Sequence, residues 1–486
     1  MNRKNRPFLW MNLLLCAIIT SACTEDITTD VAPATTDETS LNTYIGFSVK
    51  VPARGTAANN ATRATSEGNY RPQGTYEGED ITSRIDLYLL DANGVLQESR
   101  RFEYNELVWV YDTQGMQVVK PKDPFTTTAG TKYALVIINS PRPLITTAPA
   151  DNYVLDVSNE FPLSGFGGYV DYAPESRRVF RGMFSGKSEL TTINAGVTSD
   201  QVKGGANHIT LSVERLVSRV IVTASPNIVE NSAALGTFSN IQYSVAQGSK
   251  AIYLLPRTVD GKYLTPAYDY IPDSEYIRTA ASYYCYEDIQ TPTDVPANPA
   301  TTNDPMAYLN IEGKFMLENT HAAYHKGNTA YVLVRAKFAP HAASIKDGGA
   351  LAADGTFYVG GSDGLIYSSL AAATDPTTGT AYQSVYTYTG GKVLYHAWVN
   401  PDDLSAPTAA PTVRNNIYHI NINSFKTLGV NWNPLTPDIN NPDPQPGGNE
   451  PPSPIAPEDP LSSVDTYMSV DIEVKNWIVN SYDIDF

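Results

Sequence analysis

Apolar and polar side chains alternate at every second position along much of this chain. Ile45, Phe47, Val49 and Val51 are interleaved with Gly46, Ser48 and Lys50. A period of two sends successive side chains to opposite faces of an extended backbone, so the pattern predicts a half-buried strand. The same reading predicts strands at Arg84–Leu90, Leu107–Tyr111, Lys132–Asn139, Tyr153–Val157 and Arg178–Phe184, followed by a long β-branched stretch over Ile209–Ala224. Beyond it, strands are predicted at Asn240–Gln247, Gly313–Leu317, Ala330–Phe338, Thr356–Val359, Leu365–Ser368, Lys392–Val399 and Asn416–Asn423. Stretches of helical period are scarce; only short pieces such as Leu365–Ala373 suit a helix. Short strands separated by turn residues predict sandwiches of antiparallel sheet, with a domain boundary near Ser212.

The last twenty residues carry the clearest alternation. Met468, Val470, Ile472, Val474, Ile478, Tyr482, Ile484 and Phe486 fall on even positions, and Ser469, Asp471, Glu473, Lys475, Ser481, Asp483 and Asp485 on odd ones. Asn476 and Asn480 interrupt the apolar face, which predicts a split into two strands around Trp477. Ahead of this segment, Asn433–Pro460 holds ten prolines and a pair of glycines. Such a stretch lacks the apolar content to pack and is expected to be an extended spacer. An adhesive strand on a tether suits pairing with a distant sheet edge, on another molecule or back on its own domain.

The N-terminus bears on the compartment. Arg3, Lys4 and Arg6 precede an apolar run from Phe8 to Ile19, and Thr20-Ser21-Ala22-Cys23 follows. Basic start, short apolar middle and small residues describe a secretory signal, too short for a membrane span of about 20 apolar residues. Cleavage before Cys23 resembles the lipobox of bacterial lipoproteins, which implies acylation of that cysteine. Thr24-Glu25-Asp26 resembles the acidic surface-export signal of Bacteroidota lipoproteins. Acyl chains anchor a protein to a membrane without spanning it.

Composition agrees with an exported all-β chain. Its 486 residues leave room for two or more domains. The 31 tyrosines and 14 phenylalanines favour pleated surfaces, while 33 glycines and 34 prolines supply turns. Of three cysteines, Cys16 leaves with the signal and Cys23 takes lipid, so Cys285 has no partner for a disulfide within the mature chain. A net charge of −17 argues against nucleic-acid binding, which relies on a basic surface.

Candidate chemistry is thin. Gly360-Gly361-Ser362-Asp363-Gly364 fits the G-x-S-x-G pattern of a nucleophile elbow, but that elbow needs a strand before it and a helix after it. Phe357-Tyr358-Val359 and Leu365-Ile366-Tyr367 flank it instead, predicting a hairpin turn. His321 and His325 stand four apart without the glutamate of a zinc-protease helix. His396 and His419 lie inside strand patterns and read as packing residues. No nucleotide motif occurs, and Asp438, Asp443 and Asp459 fall in the spacer, too mobile to hold an ion. No catalytic residue, metal or cofactor is expected, and the chain is not expected to be an enzyme.

Several blocks in order carry a resemblance. Lys326-Gly327-Asn328-Thr329-Ala330-Tyr331-Val332-Leu333-Val334-Arg335-Ala336-Lys337-Phe338 is one, and Gly391-Lys392-Val393-Leu394-Tyr395-His396-Ala397-Trp398-Val399-Asn400-Pro401 another. Val413-Arg414-Asn415-Asn416-Ile417-Tyr418-His419-Ile420 leads into Leu428-Gly429-Val430-Asn431-Trp432-Asn433-Pro434. With Val213-Glu214-Arg215, Val245-Ala246-Gln247-Gly248 and the closing strand, the chain resembles the shaft subunits of short, Mfa-type fimbriae of Bacteroidales, the type V pilins.

The resemblance implies two tandem transthyretin-like antiparallel β-sandwich domains plus a tethered C-terminal donor strand. It implies a lipoprotein signal peptide over 1–22 and a propeptide with the first strand over 23–63. The two sandwiches would occupy 64–212 and 213–432, the Pro-rich linker 433–462 and the donor segment 463–486. An Arg-specific protease would cut at Arg63-Ala64, with Arg54-Gly55 as the alternative bond. Ile45, Phe47, Val49 and Val51 would then leave their sheet. Met468, Val470, Ile472, Val474, Ile478, Tyr482, Ile484 and Phe486 of another copy would replace them, and head-to-tail contacts of this kind propagate as a filament. Expected partners are other copies of the chain, minor anchor and tip subunits, the protease, and host or bacterial surface ligands. The expected location is a fimbrium on the cell surface, its precursor held to the outer membrane by lipid. A monomeric surface lipoprotein or tip adhesin binding glycan or host protein is the alternative.

Overall fold

The computed structural model describes residues 42–51, 82–111, 117–145, 153–156, 163–172, 177–230, 235–266, 293–298, 311, 313–425, 427–429, 431, 458–462, 469–473 and 479–485. They are nearly all β. The first half runs β1 (Asn42–Val51), β2 (Arg84–Leu90), β3 (Leu96–Glu103), β4 (Leu107–Tyr111), β5 (Gln117–Pro121), β6 (Phe125–Thr128) and β7 (Gly130–Ile138). It continues with β8 (Val154–Asp156), β9 (Gly167–Tyr172), β10 (Arg177–Gly182), β11 (Phe184–Lys187), β12 (Thr191–Ile193), β13 (His208–Ser212) and β14 (Glu214–Arg215). Two sheets face each other here, ordered β13-β1-β5-β4 with β6 also on β1, and β14-β11-β7-β2-β3 with β12 on β7. Their inner faces share one core, in which Phe47, Leu87, Phe102, Val136 and Phe184 are buried.

The second half holds β15 (Ser218–Glu230), β16 (Gly236–Ala246), β17 (Ala251–Tyr253), β18 (Thr258–Val259), β19 (Lys262–Tyr263), β20 (Thr293–Asp294), β21 (Lys314–Met316) and β22 (Tyr331–Pro340). It closes with β23 (Phe357–Gly360), β24 (Ile366–Tyr367), β25 (Val385–Tyr388), β26 (Lys392–Trp398), β27 (Ile417–Phe425), β28 (Ser469–Glu473) and β29 (Val479–Asp485). Its main sheets are β21-β15-β27-β29-β28 and β20-β16-β22-β26. A second core around Val222, Val334, Tyr395 and Ile420 lies between them.

Each half repeats one device. The opening strand of the half pairs in parallel with a late one: β1 with β13, and β15 with β27. Most other pairings are antiparallel, as the alternation predicts. Three sequence expectations are revised. The long Ile209–Ala224 stretch is three strands, because the chain crosses between the sheets at Val213–Val217, all apolar apart from Glu214 and Arg215 and so without a visible break. Arg178–Phe184 is cut at Met183 into β10 and β11. The spacer expected to run to Ser462 gives way over Glu458–Ser462, where Leu461 is buried against the second half.

A polar junction ties the halves. Arg414 and Glu318 form a fully buried ion pair, Nε to Oε1 at 2.6 Å and Nη2 to Oε2 at 2.8 Å. Arg414 also donates to the carbonyls of Tyr253 (2.7 Å) and Leu254 (3.2 Å), residues at and after β17. β17 itself reaches back to pair with β8. Arg215 donates to Asn415 Oδ1 at 2.9 Å. A buried charge is tolerable only when paired and hydrogen-bonded in this way.

Candidate functional site

β1 lies in the middle of its sheet. Gly46 to Lys50 run parallel to His208 to Ser212 on one side. On the other, Asn42 to Ile45 pair with Thr128 to Phe125, and Val49 to Val51 with Val119 to Gln117. Ile45, Phe47, Val49 and Val51 are 0–1 % exposed. Phe47 meets Phe102 at 5.4 Å and Phe125 at 6.2 Å between ring centroids. Four such side chains contribute about 6–12 kcal/mol of burial.

The segment 194–208 holds the β13-side edge of β1 and, at Gly46 and Ser48, its other face. Tyr44 N donates to Val197 O at 3.0 Å and Gly46 N to Asn207 O at 3.1 Å. Asn207 Nδ2 donates to Tyr44 O at 3.0 Å, while Val197 N donates to Thr43 Oγ1 at 3.0 Å. Asn207 adopts φ 44°, a left-handed geometry that asparagine accepts more readily than most residues. The short helix Ser199–Lys203 packs over Gly46, where an added Cβ would lie 2.9 Å from Val202 Cγ1 and 3.0 Å from His208 Nδ1. His208 Nε2 shares a 2.7 Å hydrogen bond with Ser48 Oγ. Burial, and secondarily the charge of Lys120, lowers the pKa of His208 below the ordinary imidazole value.

The C-terminal segment is a hairpin-like pair. β28 and β29 run antiparallel, with Val470 opposite Ile484 and Ile472 opposite Tyr482. The split around Trp477 is as the sequence predicts. β29 pairs in parallel with β27 of its own chain, from Ile417–Val479 to Ile422–Ile484. In this single chain the terminal pair therefore sits at the edge of its own sheet, the arrangement the tethered segment reaches by folding back. Of the candidate donor residues, Val470, Ile472, Tyr482 and Ile484 belong to these strands. Met468, Val474, Ile478 and Phe486 lie outside the described residues, as do Cys23, Arg54, Arg63, Ala64 and Cys285.

The remaining motifs resolve into local structure. Gly360–Gly364 is the turn between β23 and β24, closed by Gly364 N to Gly360 O at 2.9 Å. Its Asp363 carboxylate accepts from Leu365 N, Tyr367 OH, Gln383 Nε2 and Thr380 Oγ1 at 2.8–3.0 Å. That network organises a loop and leaves Ser362 without a histidine partner. His321 is buried edge-on to Tyr324, and His325 Nδ1 meets Glu458 O at 2.7 Å. His396 is enclosed between Tyr331 and Trp398, and His419 Nε2 shares a 2.8 Å bond with Thr223 Oγ1. Among the described residues no group of three or more His, Cys, Asp or Glu could hold a metal ion. No described helix is long and apolar enough to cross a membrane.

Asn207, Val202 and His208, which hold β1, escaped the sequence reading. Gly46, a glycine interrupting an apolar strand, was the one available signal, since it marks close approach of another element.

Comparison with known proteins places these features among relatives. Residues 386–483 match the family described as major fimbrial subunit protein type IV, fimbrillin, C-terminal. That match takes in β26, β27, β28 and most of β29. The chain is 28 % identical over 495 aligned positions to the minor fimbrium subunit Mfa1 of Porphyromonas gingivalis, covering 93 % of this chain and 95 % of that protein. A fimbrilin crystal structure from Porphyromonas gingivalis aligns with 81 % of this chain and 95 % of its own, at 15 % identity and a TM-score of 0.41. A cell-adhesion protein structure from Parabacteroides distasonis aligns with 91 % of this chain and 98 % of its own, at 11 % identity and a TM-score of 0.36.

Proposed function

We propose that this chain is a fimbrial subunit of the Mfa type, a reading its similarity to fimbrial proteins supports, and that it polymerises by exchanging its first strand for the terminal segment of another copy. The precursor is exported as a lipoprotein acylated at Cys23 and held at the outer membrane. An Arg-specific protease cuts at Arg63-Ala64. β1, no longer continuous with β2, leaves its sheet. The vacated groove is lined by the β13 edge on one side and by β5 and β6 on the other. It exposes backbone groups and an apolar floor, which is costly until refilled. Residues 463–486 of a second copy fill it, and the head-to-tail contact repeats into a filament. Minor anchor and tip subunits are its partners at the two ends. The surface filament supports adhesion to host or bacterial ligands and biofilm contacts.

One observation carries this reading. β1 and β29 make the same kind of contact, each parallel to a late strand of its half, β13 for one and β27 for the other. The terminal strand thus pairs in the parallel sense that the groove beside β13 requires, although it lies on the side of β27 opposite to β15, the counterpart of β1. The crowding at Gly46 sets a demand on the replacement: residues 463–486 hold no glycine, so whichever residue takes that place must push Val202 and His208 aside.

The pairing of β29 with its own chain favours a second reading, a self-contained monomeric surface lipoprotein or tip adhesin that binds glycan or host protein. Treatment of purified precursor with an Arg-specific protease separates the two. Exchange predicts a new N-terminus at Ala64 and a ladder of oligomers, absent from a chain ending before Tyr467. A cut chain that stays monomeric, or a truncated chain that polymerises equally well, counts against exchange.

A further inference from the structure

Between the Pro-rich spacer and the terminal strands, five residues are fixed in place. Leu461 is 1 % exposed, in a cluster with Tyr331, Leu333, Leu394, Trp398 and Ala410 and with Tyr324 packed against it. Lys326 N donates to Asp459 O at 2.9 Å, His325 Nδ1 meets Glu458 O at 2.7 Å, and Pro460 bridges to His325. This seat belongs to β22, β26 and the loop before β22. The terminal pair sits on β27, in a different sheet. Departure of β28 and β29 therefore removes nothing from the seat. Upstream of the spacer the chain is fixed too: Asn431 is 1 % exposed and donates to Thr387 O at 2.7 Å.

We propose that Glu458–Ser462 is an anchor that stays on its own subunit while the terminal strands are exchanged, so that each copy offers its donor from one fixed point. The proposal rests on the strand-exchange reading. Its consequence is a short reach. From Ser462 to Ser469 the backbone spans at most about 25 Å, whereas a donor hanging from Asn431 would range over roughly 130 Å. The spacer at 433–457 is then a loop pinned at both ends, and its length does not set the distance between neighbouring subunits. Residues 463–468 set that distance alone.

Paired deletions in the full-length precursor test this. Removing Val464–Thr466 is expected to reduce protease-triggered assembly at least tenfold, while removing Asn441–Asp443 leaves it within about twofold. Leu461→Asp releases the anchor: it restores assembly to the shortened chain and speeds hydrogen exchange at the Lys326 amide at least tenfold. Leu461→Ala gives the same exchange readout if the aspartate variant fails to fold. Equal effects of the two deletions, or an unchanged Lys326 amide in both Leu461 variants, would overturn the anchor. If a chain stopped at Met468 assembles like the full chain, strand exchange itself fails, and the Lys326 amide still decides whether Glu458–Ser462 holds.

Discussion

The first strand and the last each run parallel to a late strand of their half, with opposite security. β1 is enclosed on both edges, its four apolar side chains sealed in the core, its backbone held by Asn207 and Val197, and its polar face met by His208 at Ser48. β29 has a continuous sheet on one side only, with β28 as the outermost strand. An enclosed strand leaves only when its covalent continuation is cut and something equivalent replaces it. An edge pair leaves at the cost of one ladder. The asymmetry agrees with the proposed exchange, in which the first strand leaves after proteolysis and the last is lent to another copy.

The sharpest way to break that comparison is to weaken each strand in turn. Phe47→Ala should cost the uncut chain about 3–5 kcal/mol in urea unfolding, the range for emptying a buried aromatic site. Ending the chain after Met468, which deletes β28 and β29, should cost less. The reverse order would mean that the terminal pair, not β1, is the integral strand.

The junction comes next. Glu318→Gln leaves Arg414 charged and buried without its counterion, so stability should fall by about 3 kcal/mol, with both halves affected in a thermal scan. Loss confined to one half would mean that the sheets unfold independently. Gly46→Val is expected to cost roughly 2 kcal/mol by crowding Val202 and His208. The same change should slow any replacement strand not at all, because the altered residue departs with β1.

The effect that is smallest per step concerns pH. Burial, with help from the charge of Lys326, pushes the pKa of His396 down to about 3. The unfolded imidazole takes up its proton near pH 6.5 while the folded one stays neutral, so this contribution is complete above that pH and is lost between about 6.5 and 3. Each pH unit in that window removes up to about 1.4 kcal/mol. His208, lowered in the same direction, adds to the loss. His396→Phe should flatten the fall of Tm with acid; an unchanged slope would exclude this group as its source.

Much of the fold was legible because one face of each strand is buried. β2 and β4 span the predicted Arg84–Leu90 and Leu107–Tyr111, and β1, β7, β22, β26 and β27 lie within a few residues of expectation. β3 was not legible. Its Arg100 and Arg101 look like solvent residues, yet Arg101 pairs with Asp86 at 2.6 Å and Arg100 lies over the rings of Phe102 and Phe125. Leu461, alone among prolines and acids, gave no period to read. Arg414 and Glu318 are 96 positions apart, and nothing local marks them as partners. Of the site, the inward face of β1 and the alternation of the terminal segment were plain in the sequence. The clasp over Gly46 depends on residues brought from about 160 positions away, where no pattern points back to the first strand.

The most direct measurement is cross-linking mass spectrometry on protease-treated precursor, mixing isotopically light and heavy copies. Strand exchange predicts that peptides of Ser469–Asp485 from one copy link to the His208–Ser212 or Gln117–Thr128 strands of the other, with peptide Asn42–Val51 released. Links from Ser469–Asp485 only to Ile417–Phe425 of the same copy, with Asn42–Val51 still in its sheet, would contradict it.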